Sequence, residues 1–399
     1  MVDRTESLIA RQPAVFRDKY DIEVNLHQEV KEIDPDRGAV LVLDQNLSQS
    51  RWESYSHLML SPGAVPVRPP VEGIDARGIF GINTLQSGLD VMAFIDKYQP
   101  KSAVVVGGGY IGLEMAENLL LRGLKVSLVE KAPEVMGTLD PDMGALVSRA
   151  LIDMGIALYR NEGLKAFDVK AGRVAGVVTD YRTINTDLVI LGIGVRPNVA
   201  LAEAAGIKLG PSGAVQVDAT MRTGRENIWA GGDCAESFHL VSRRPVNIAL
   251  GTVANRHGRV AGTNIGGEYA AFGGVVGTAV SKICALEVAR TGLQEKEIQQ
   301  TGREYVTALT ESKTRASYYP GTDPITVKIL AEKSSGKLLG GQIAGGKGAA
   351  KRIDVLATAL HAGMDLEQVA DLDLSYAPPF SPLWDPVVMA ARNAMKALV

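Results

Sequence analysis

The feature that most constrains how this chain folds is the run Gly107–Gly112, which reads GGGYIG and matches the pattern G-x-G-x-x-G. It directly follows the apolar run AVVV and opens a segment with helical periodicity, YIGLEMAENLLL. The next apolar run, KVSLV, ends at Glu130. Strand, glycine turn, helix, strand and a terminal acidic residue, in that order, predict one βαβ unit that binds a dinucleotide.

Each residue of the pattern has a physical role in such a unit. Gly107 permits the tight turn, Gly109 lets the backbone approach a pyrophosphate, and Gly112 lets the helix pack closely on the strand. Glu130 can accept hydrogen bonds from the hydroxyls of an adenosine ribose and would repel the extra phosphate of NADPH. We therefore predict NADH as the preferred nucleotide and NADPH as less favoured, although Lys131 acts against this preference. The alternative is a glycine turn that binds no ligand.

Composition and charge exclude several classes of protein. The 399 residues carry a net charge of −3 and no long basic stripe, so we expect no nucleic-acid partner. Every apolar stretch is shorter than the roughly 20 residues that span a bilayer, and the first residues lack a signal pattern, so we expect a cytoplasmic protein without a membrane partner. Cys234 and Cys284 lie far apart, which fits a reducing compartment. The histidines show no metal-binding spacing, so we expect no metal.

Periodicity and capping signals predict two helices in detail. In the helix after the glycine turn, Ile111, Met115 and Leu119 would form the buried face. Further on, Asp140 precedes a proline and an amphipathic segment that extends to Met154. Because Asp is a favoured N-cap whose side chain accepts free backbone N–H groups, we predict a side-chain-capped helix there.

The remaining segments predict a mixture of strands and helices. The segment 22–34, IEVNLHQEVKEID, is typical of a strand, and a β-meander is expected up to Asp180, followed by the strands DLVILGIG and NIWA. Asn247–Gly266 predicts a helix. From Tyr269 onward, alternating strands and a helix over Ala349–Ala362 predict an α+β unit.

Several of these motifs, taken in order, resemble the pyridine nucleotide-disulfide oxidoreductases, and in particular their coenzyme A-disulfide reductase and NADH oxidase branch. The motifs are HLMLSPGAVPVRPPVEG, VVVGGGYIGLEMAENL, DLVILGIGVRPN, NIWAGGDCAE, TVANRHGRVAGTNIGG, VARTGL, YYPG and LSYAPPFSPLWDPV. The resemblance covers nearly the whole chain. It implies an α/β, Rossmann-like FAD/NAD(P)-binding two-domain fold, a C-terminal α+β dimerisation domain, FAD as a cofactor beside NADH, and a homodimer.

The resemblance also implies domain boundaries and reveals a departure. An FAD-binding domain would comprise 1–100 and 216–268, an NAD-binding domain 101–215, and the dimerisation domain 269–399. Members of the family carry a second G-x-G-x-x-G, for FAD, at the extreme N-terminus and a redox cysteine shortly after it, and neither occurs in this sequence. We therefore expect an incomplete FAD domain, from a truncated chain or from a misassigned start at Met1.

Four residues around the two nucleotides are implied by the same resemblance. Asp233, after NIWAGG, matches the residue that holds the ribityl chain of the flavin. Ala254 and Asn255 match the helix start near the flavin ring. Gly194 matches the loop that lines the nicotinamide pocket. For Asp233 the alternative is a residue that only caps the following turn.

Residues for the sulfur chemistry are implied in the same way. Tyr318 and Tyr376 match the two tyrosines that a partner subunit contributes, and a tyrosine hydroxyl can protonate a leaving thiolate. Aromatic packing is the alternative for both. Lys19 and Arg256 match positions that face the phosphates of coenzyme A, whereas Trp384 stands where some coenzyme A reductases have a lysine, which weakens coenzyme A as the substrate.

Three functions remain open on the sequence. The first is a FAD-dependent NAD(P)H oxidoreductase that reduces a disulfide, persulfide or polysulfide. The second is an NADH oxidase or peroxidase of the same family, and the third is a non-catalytic, NAD-binding remnant. Neither Cys234 nor Cys284 is expected to replace the missing thiol, because one follows Asp233 and the other lies on an apolar strand. His257 is expected to be structural rather than a general base.

Overall fold

The computed structural model describes residues 5–398. The first part of the chain contains short strands and two helices: a 3₁₀ turn (Thr5–Leu8), α1 (Pro13–Tyr20), β1 (Gln28–Asp34), β2 (Ala39–Asp44), β3 (Gln49–Ser54), β4 (Leu58–Leu60), β5 (Ala64–Pro66), β6 (Ile79–Gly81) and α2 (Leu85–Tyr98). The second part alternates strands and helices: β7 (Ser102–Val106), α3 (Tyr110–Leu121), β8 (Lys125–Glu130), α4 (Pro141–Asp153), β9 (Ala157–Arg160), β10 (Leu164–Lys170), β11 (Arg173–Thr179), β12 (Thr183–Asn185), β13 (Leu188–Leu191), β14 (Val195–Pro197) and α5 (Ala200–Ala204).

The rest of the chain returns to the first part and then forms a separate unit. The returning segment contains β15 (Ile228–Ala230), a 3₁₀ turn (Gly232–Cys234), β16 (Ser237–Phe238), β17 (Pro245–Val246) and α6 (Gly251–Ile265). The final unit contains β18 (Ala279–Ile283), β19 (Leu286–Gly292), α7 (Glu295–Thr301), β20 (Tyr305–Lys313), β21 (Pro324–Glu332), β22 (Leu338–Gly345), a 3₁₀ turn (Ala350–Arg352), α8 (Ile353–Ala362), α9 (Leu366–Ala370) and α10 (Pro386–Met395).

Five parallel strands form the central sheet, in the order β6-β13-β7-β8-β9. Within it, β7, α3 and β8 are the predicted strand, helix and strand, so the βαβ unit is confirmed. β7 is built largely of valine, and Val104–Val106 are at most 4% exposed, as expected for a parallel strand covered on both faces. Because β7 and β13 are neighbours, the loops at their carboxyl ends lie side by side.

The buried face of α3 differs from the predicted one. Leu113, Ala116 and Leu119 are at most 1% exposed, whereas Ile111 and Met115 are only partly buried. The prediction was therefore right for Leu119 and wrong for the other two. Since α3 is apolar on nearly every side, its sequence does not single out one face, and contact with the sheet selects it.

The order of elements in the central unit occurs a second time in the first part of the chain. In the central unit, α4 and β9 precede the antiparallel sheet β10-β11-β12, and β13 then joins the parallel sheet. In the first part, α1 precedes the antiparallel sheet β1-β2-β3, and β4 then pairs in parallel with β15. The segment equivalent to β9 is 22–26.

That segment corrects one prediction. The strand expected over 22–34 forms only at Gln28–Asp34. Residues 22–26 lie outside any strand, and their alternating apolar side chains, Ile22, Val24 and Leu26, are 51%, 39% and 58% exposed. A strand needs a neighbour for its backbone hydrogen bonds, and none of the described residues provides one here.

One edge of β4 is also without a neighbouring strand among residues 5–398. Leu58 donates to the carbonyl of Asn227, and the carbonyl of Leu60 accepts from Gly231, so both face β15. Because backbone groups alternate along a strand, those of Met59 face the other way. A groove of about 570 Å³ lies along β4, bordered by β1 and by the start of α5.

The C-terminal unit is α+β, as predicted. Its antiparallel sheet has the order β18-β19-β22-β21-β20, and α8 and α10 pack on it. The helix expected over Ala349–Ala362 begins later, at Ile353, after a 3₁₀ turn. Ile283, Val288 and Ala344 of this sheet belong to the same apolar cluster as the core of the central unit, so the two units share a packed boundary. Within the described part of the chain, no helix combines the length and apolar character needed to cross a membrane.

Candidate nucleotide site and active site

The glycine turn after β7 has the geometry that only glycine accommodates. Gly107 has φ +99°, and a Cβ there would lie 2.6 Å from the carbonyl oxygen of Gly192. A Cβ on Gly112 would lie 2.0 Å from the carbonyl oxygen of Gly107. α3 therefore packs directly on the turn, with its N-terminus aimed at the same edge of the sheet.

Gly109 leaves that N-terminus open. It is the N-cap of α3, and the nearest atom to a Cβ built on it is the carbonyl oxygen of Gly192, at 3.6 Å. The space beside Gly109 is thus free for a ligand, and the first N–H groups of α3 have no helical acceptor. A pyrophosphate fits this cradle, since it is an anion that can accept from those N–H groups.

Glu130 lies beside the turn at the end of β8. Its Oε2 accepts a hydrogen bond of 2.7 Å from the N–H of Gly108, and its Oε1 accepts one of 2.7 Å from the N–H of Ala132. These bonds fix the carboxylate at the tip of the strand, next to the glycine turn. The position is the one where a carboxylate meets the ribose of a bound dinucleotide.

Gly194 joins this site through the neighbouring strand. It follows β13, has φ +97° and its carbonyl accepts from Val67 N–H at 3.0 Å. Next to it, β5 and β14 border a cavity of about 490 Å³ whose lining includes Arg68 and Arg196. The proximity of these two arginines was not predictable from the sequence, because the pairing of β5 with β14 brings together residues that lie far apart along the chain.

Asp233 lies at the end of the other parallel pair, in the 3₁₀ turn after β15. Burial raises the pKa of its carboxyl group. His257 supports this turn through its ring nitrogens. Its Nδ1 accepts a hydrogen bond of 3.2 Å from the N–H of Gly232, and its Nε2 lies 3.1 Å from Ser237 Oγ. The structure thus places a partly buried carboxylate just after the end of a strand, and the resemblance implies a polyol ligand for this residue.

His257 itself is fully buried. Burial lowers its pKa to about 4, so the ring is neutral at physiological pH. Because Nδ1 accepts a hydrogen bond, the proton resides on Nε2 and is donated to Ser237. This agrees with the structural interpretation of His257 and gives it a definite task, support of the turn that carries Asp233.

The residues predicted on α6 separate into two groups. Ala254 lies against the Asp233 turn, since its Cβ is 3.6 Å from a Cβ built on Gly232. Asn255 donates to the carbonyl of Gly251 at 2.8 Å, and Arg256 donates to the carbonyl of Gly274. The contact with the turn is thus that of Ala254, whereas the side chains of Asn255 and Arg256 bond to other backbone carbonyl groups.

α6 begins later than predicted, at Gly251 instead of Asn247. The side chain of Asn247 donates to the carbonyl oxygens of Asp233 and Ala235, at 2.9 and 3.2 Å. These bonds hold Asn247 against the Asp233 turn, and α6 begins only after the segment that contains Asn247.

Neither cysteine has the properties of a redox thiol. Burial raises the pKa of Cys234 to about 11, and its Sγ faces the carbonyl oxygens of Gly231 and Leu60. Burial also raises the pKa of Cys284 to about 11. Both thiols are therefore protonated and poor nucleophiles at neutral pH. Among the described residues, no group of His, Cys, Asp and Glu side chains could hold a metal ion.

The two predicted catalytic tyrosines lie on the surface of the C-terminal unit. Tyr318 is 75% exposed and Tyr376 is 47% exposed, and a hydrogen bond between their hydroxyl groups raises the pKa of Tyr318. The structure thus brings these two residues together. Exposed apolar side chains accompany them on the following segment: Phe380, Leu383 and Trp384. Lys19 lies apart on α1, with its ammonium 5.3 Å from the centre of the Tyr20 ring.

The fold and the glycine turn define a nucleotide-dependent oxidoreductase, and comparison with known proteins identifies the family. Residues 3–258 match the model of the family described as pyridine nucleotide-disulphide oxidoreductase, and residues 278–386 match its dimerisation domain. The chain belongs to this family of enzymes, whose cofactors are FAD and NAD(P)H.

Individual relatives cover almost the whole chain. An NAD(P)H sulfur oxidoreductase (CoA-dependent) from Pyrococcus abyssi is 35% identical over 98% of this chain and 86% of its own length. An NADH oxidase from Methanocaldococcus jannaschii is 36% identical over 98% of this chain and 87% of its own. The solved structure of an NAD-dependent persulfide reductase from A. fulgidus superposes with a TM-score of 0.96, at 37% identity, over 99% of this chain and 74% of that one.

The described residues fit the two cofactors unequally. The glycine turn after β7 has the space and the free N–H groups that a dinucleotide pyrophosphate needs. For FAD, the described residues offer the Asp233 turn and Ala254. However, the sequence holds no second G-x-G-x-x-G. In addition, the edge of β4 where a further parallel strand would pair is free in the described chain. The residues present therefore do not form a pyrophosphate cradle for FAD, and no electron-transfer step can be derived from them.

Proposed function

We propose that this protein is an NADH-dependent reductase that delivers electrons to a sulfur acceptor, such as a coenzyme A disulfide, a persulfide or a polysulfide. The observation that supports this proposal most strongly is the intact glycine turn with Glu130 beside it. It occurs in a chain that is 35% identical, over 98% of its length, to a relative named as a sulfur oxidoreductase. In this family the flavin links the nucleotide to the acceptor, and the protein positions both.

Within this proposal, Gly107, Gly109, Gly112 and Gly194 bind NADH together with Glu130. Asp233 and the start of α6, from Ala254 to Arg256, face the flavin and the acceptor, and Lys19 is a further acceptor-binding residue. What supports the NADH half is the open space beside Gly109. What supports the other half is the partly buried carboxylate of Asp233, which has no ionic partner among the described residues and so remains available to a polyol.

Tyr318 and Tyr376 are proposed to serve the acceptor of a partner subunit in a homodimer. Their hydroxyl groups are adjacent and exposed, which suits protonation of a leaving thiolate in a second molecule. Support for a dimer comes from the match to the dimerisation domain and from the exposed apolar side chains of Phe380, Leu383 and Trp384. The same proposal includes the domain boundaries 1–100, 101–215, 216–268 and 269–399. It also includes a cytoplasmic location, which is supported by the two unpaired thiols.

The test is the visible absorbance of the purified protein, with and without added FAD, followed by anaerobic NADH and then by a disulfide or polysulfide. A yellow protein that NADH bleaches, and that the sulfur compound reoxidises, supports the proposal. A colourless protein that takes up no FAD contradicts it and favours an NAD-binding protein without catalysis.

A second candidate, an NADH oxidase or peroxidase, is favoured by the thiol chemistry. With the pKa of both cysteines raised to about 11, the described chain offers no thiolate to form a mixed disulfide with the acceptor. Oxygen needs no protein thiol when reduced flavin reacts with it directly. Oxygen consumption faster than sulfide release, measured with both acceptors present, would favour this candidate.

A further inference from the structure

A buried lysine joins the C-terminal unit to the central unit. Lys328, on β21, has a side chain that is only 3% exposed. Its Nζ lies 3.2 Å from Asp140 Oδ2, 2.7 Å from Asp142 Oδ2 and 2.5 Å from Glu295 Oε1. Two of these carboxylates belong to the start of α4, in the central unit. One cation thus lies among three acids that meet at the boundary between the units.

Asp140 is the centre of this cluster, although the sequence predicted it as a helix cap. Its side chain makes no capping bond to α4. Instead, Oδ1 accepts from the N–H of Glu295 at 2.9 Å, and Oδ2 accepts from the side-chain amide of Gln342 at 2.7 Å. In addition, the backbone N–H of Asp140 donates a hydrogen bond of 2.8 Å to Oε1 of Gln342. The residue expected to cap its own helix is therefore held by β21, β22 and α7.

The segment just before Asp140 is held by the C-terminal unit as well. Gln294 and Lys296 donate to the carbonyl oxygen of Gly137, at 3.2 and 2.8 Å. Arg290 donates to the carbonyl oxygen of Thr138 at 3.2 Å. Three side chains from β19 and α7 thus fix two successive carbonyl groups of one loop.

That loop contacts the glycine turn directly. The N–H of Met136 donates to the carbonyl oxygen of Gly108 at 2.7 Å. The side chain of Val135 covers Gly108 so closely that a Cβ there would lie 2.7 Å from it. Gly108 in turn donates to Glu130. A continuous chain of bonds therefore runs from Lys328, through Asp140 and the loop, to the residues of the nucleotide site.

We propose that Lys328 is a positioning residue for dinucleotide binding: by holding Asp140 and the loop 135–139, it keeps Gly108 and Glu130 in the geometry that receives NADH. The inference rests on the proposed NADH site. It gives the C-terminal unit a role in nucleotide affinity that is separate from dimerisation. Without the lysine, three carboxylates would repel one another, and Asp140 would move away from Gln342.

The experiment compares the affinities of folded variants for NADH and for ADP, which has the adenosine and pyrophosphate but no nicotinamide. K328M is expected to weaken both by on the order of 10-fold. K328R, which retains the charge, is expected to recover most of the loss. Q342M, which is nearly isosteric and leaves the charges in place, is expected to weaken both ligands as well, and it decides the question if K328M does not fold.

The matched control is R352M. Arg352 is also a buried cation of the C-terminal unit, paired with Asp385 at 2.9 Å with both side chains 12% exposed, and both members of the pair lie in that unit. R352M is expected to lower the melting temperature without changing the affinity for NADH or ADP, which separates a general loss of stability from a loss of positioning.

Three results overturn the inference in distinguishable ways. If the parent protein binds ADP tightly and neither K328M nor Q342M weakens this binding, Lys328 has no positioning role. The proposed function is then left intact. A parent protein that binds neither NADH nor ADP removes the proposed nucleotide site, and the inference with it. A loss confined to NADH, with ADP unchanged, also contradicts it, because the loop contacts the turn that receives the pyrophosphate.

Discussion

The N–H of Gly108 donates a 2.7 Å hydrogen bond to Oε2 of Glu130, so the residue expected to select the nucleotide also supports the turn that binds it. The second oxygen of the carboxylate is engaged by Ala132. Both oxygens retain lone pairs for a ribose hydroxyl, because a carboxylate offers about four acceptor sites. Substitution of Glu130 therefore changes both the ligand contacts and the shape of the turn.

E130Q is expected to weaken NADH binding and to shift the preference toward NADPH. The change removes the negative charge that repels the extra phosphate of NADPH. It also removes one hydrogen-bond acceptor, and a hydrogen bond to a charged acceptor contributes about 1.5–3 kcal/mol. The measurement is the ratio of the two dissociation constants. E114Q is the control, because Glu114 lies on α3 but its side chain bonds to Ser281 instead of the turn. An unchanged ratio in E130Q would show that another group selects the nucleotide.

Two alanine substitutions in the glycine turn are expected to have different effects. G112A drives a Cβ to 2.0 Å from the carbonyl of Gly107, so it should destabilise the fold by about 1–3 kcal/mol and abolish NADH binding. G109A has room for its Cβ, so stability should be nearly unchanged, while the methyl group obstructs the pyrophosphate. Urea unfolding and NADH titration measure the two effects.

G88A serves as the control for this pair. Gly88 lies within α2, where a Cβ has no neighbour within 4 Å, so alanine should stabilise the protein by roughly 0.5–1 kcal/mol and leave NADH binding alone. If G109A binds NADH as tightly as the parent protein, the turn does not hold the pyrophosphate.

Y376F is expected to lower reduction of the sulfur acceptor by roughly 100-fold while flavin reduction by NADH stays unchanged, since the hydroxyl group acts only on the leaving thiolate. Stopped-flow measurement of the two half-reactions separates these effects in the flavin-loaded enzyme. Y319F, at the residue next to Tyr318, is the control. Equal loss of both half-reactions in Y376F would rule out this role.

Stability is expected to fall as the pH decreases from about 6.5 toward about 4. Burial lowers the pKa values of His239 and His257 to about 4, so the unfolded chain binds protons in this range that the folded chain does not. Stability is fully present above the unfolded pKa of about 6.5 and is lost below it. Between about pH 7 and pH 5, each histidine should contribute on the order of 2 kcal/mol to the loss.

H257N isolates one of these contributions. Its side-chain oxygen can still accept from the N–H of Gly232, but it does not titrate, so the loss of stability between the two pH values should be smaller than in the parent protein. The measurement is urea unfolding at both values. An identical pH dependence in H257N would mean that the buried ring is not responsible.

The parts of the site that are local in sequence were predictable. Strand, turn, helix and Glu130 lie within one βαβ unit, and the glycines are required by contacts between near neighbours, such as Gly112 with Gly107. The cluster around Lys328 was not predictable, because Lys328 and its partners come from four elements spread along the chain. Asp140 illustrates the limit: its position before a proline predicts a cap, and only the tertiary structure shows that its side chain bonds to Gln342 instead.

The unpaired edge of β4 has a consequence for how molecules of this protein meet one another. Among residues 5–398 the outward-facing backbone groups of Met59 have no neighbouring strand, and Ile22, Val24 and Leu26 form an exposed apolar alternation. Sheets of separate chains join through features of this kind. Self-association in concentrated solution is therefore expected to start at this edge. The β4 edge and the glycine turn after β7 thus belong to different parallel sheets of the described chain.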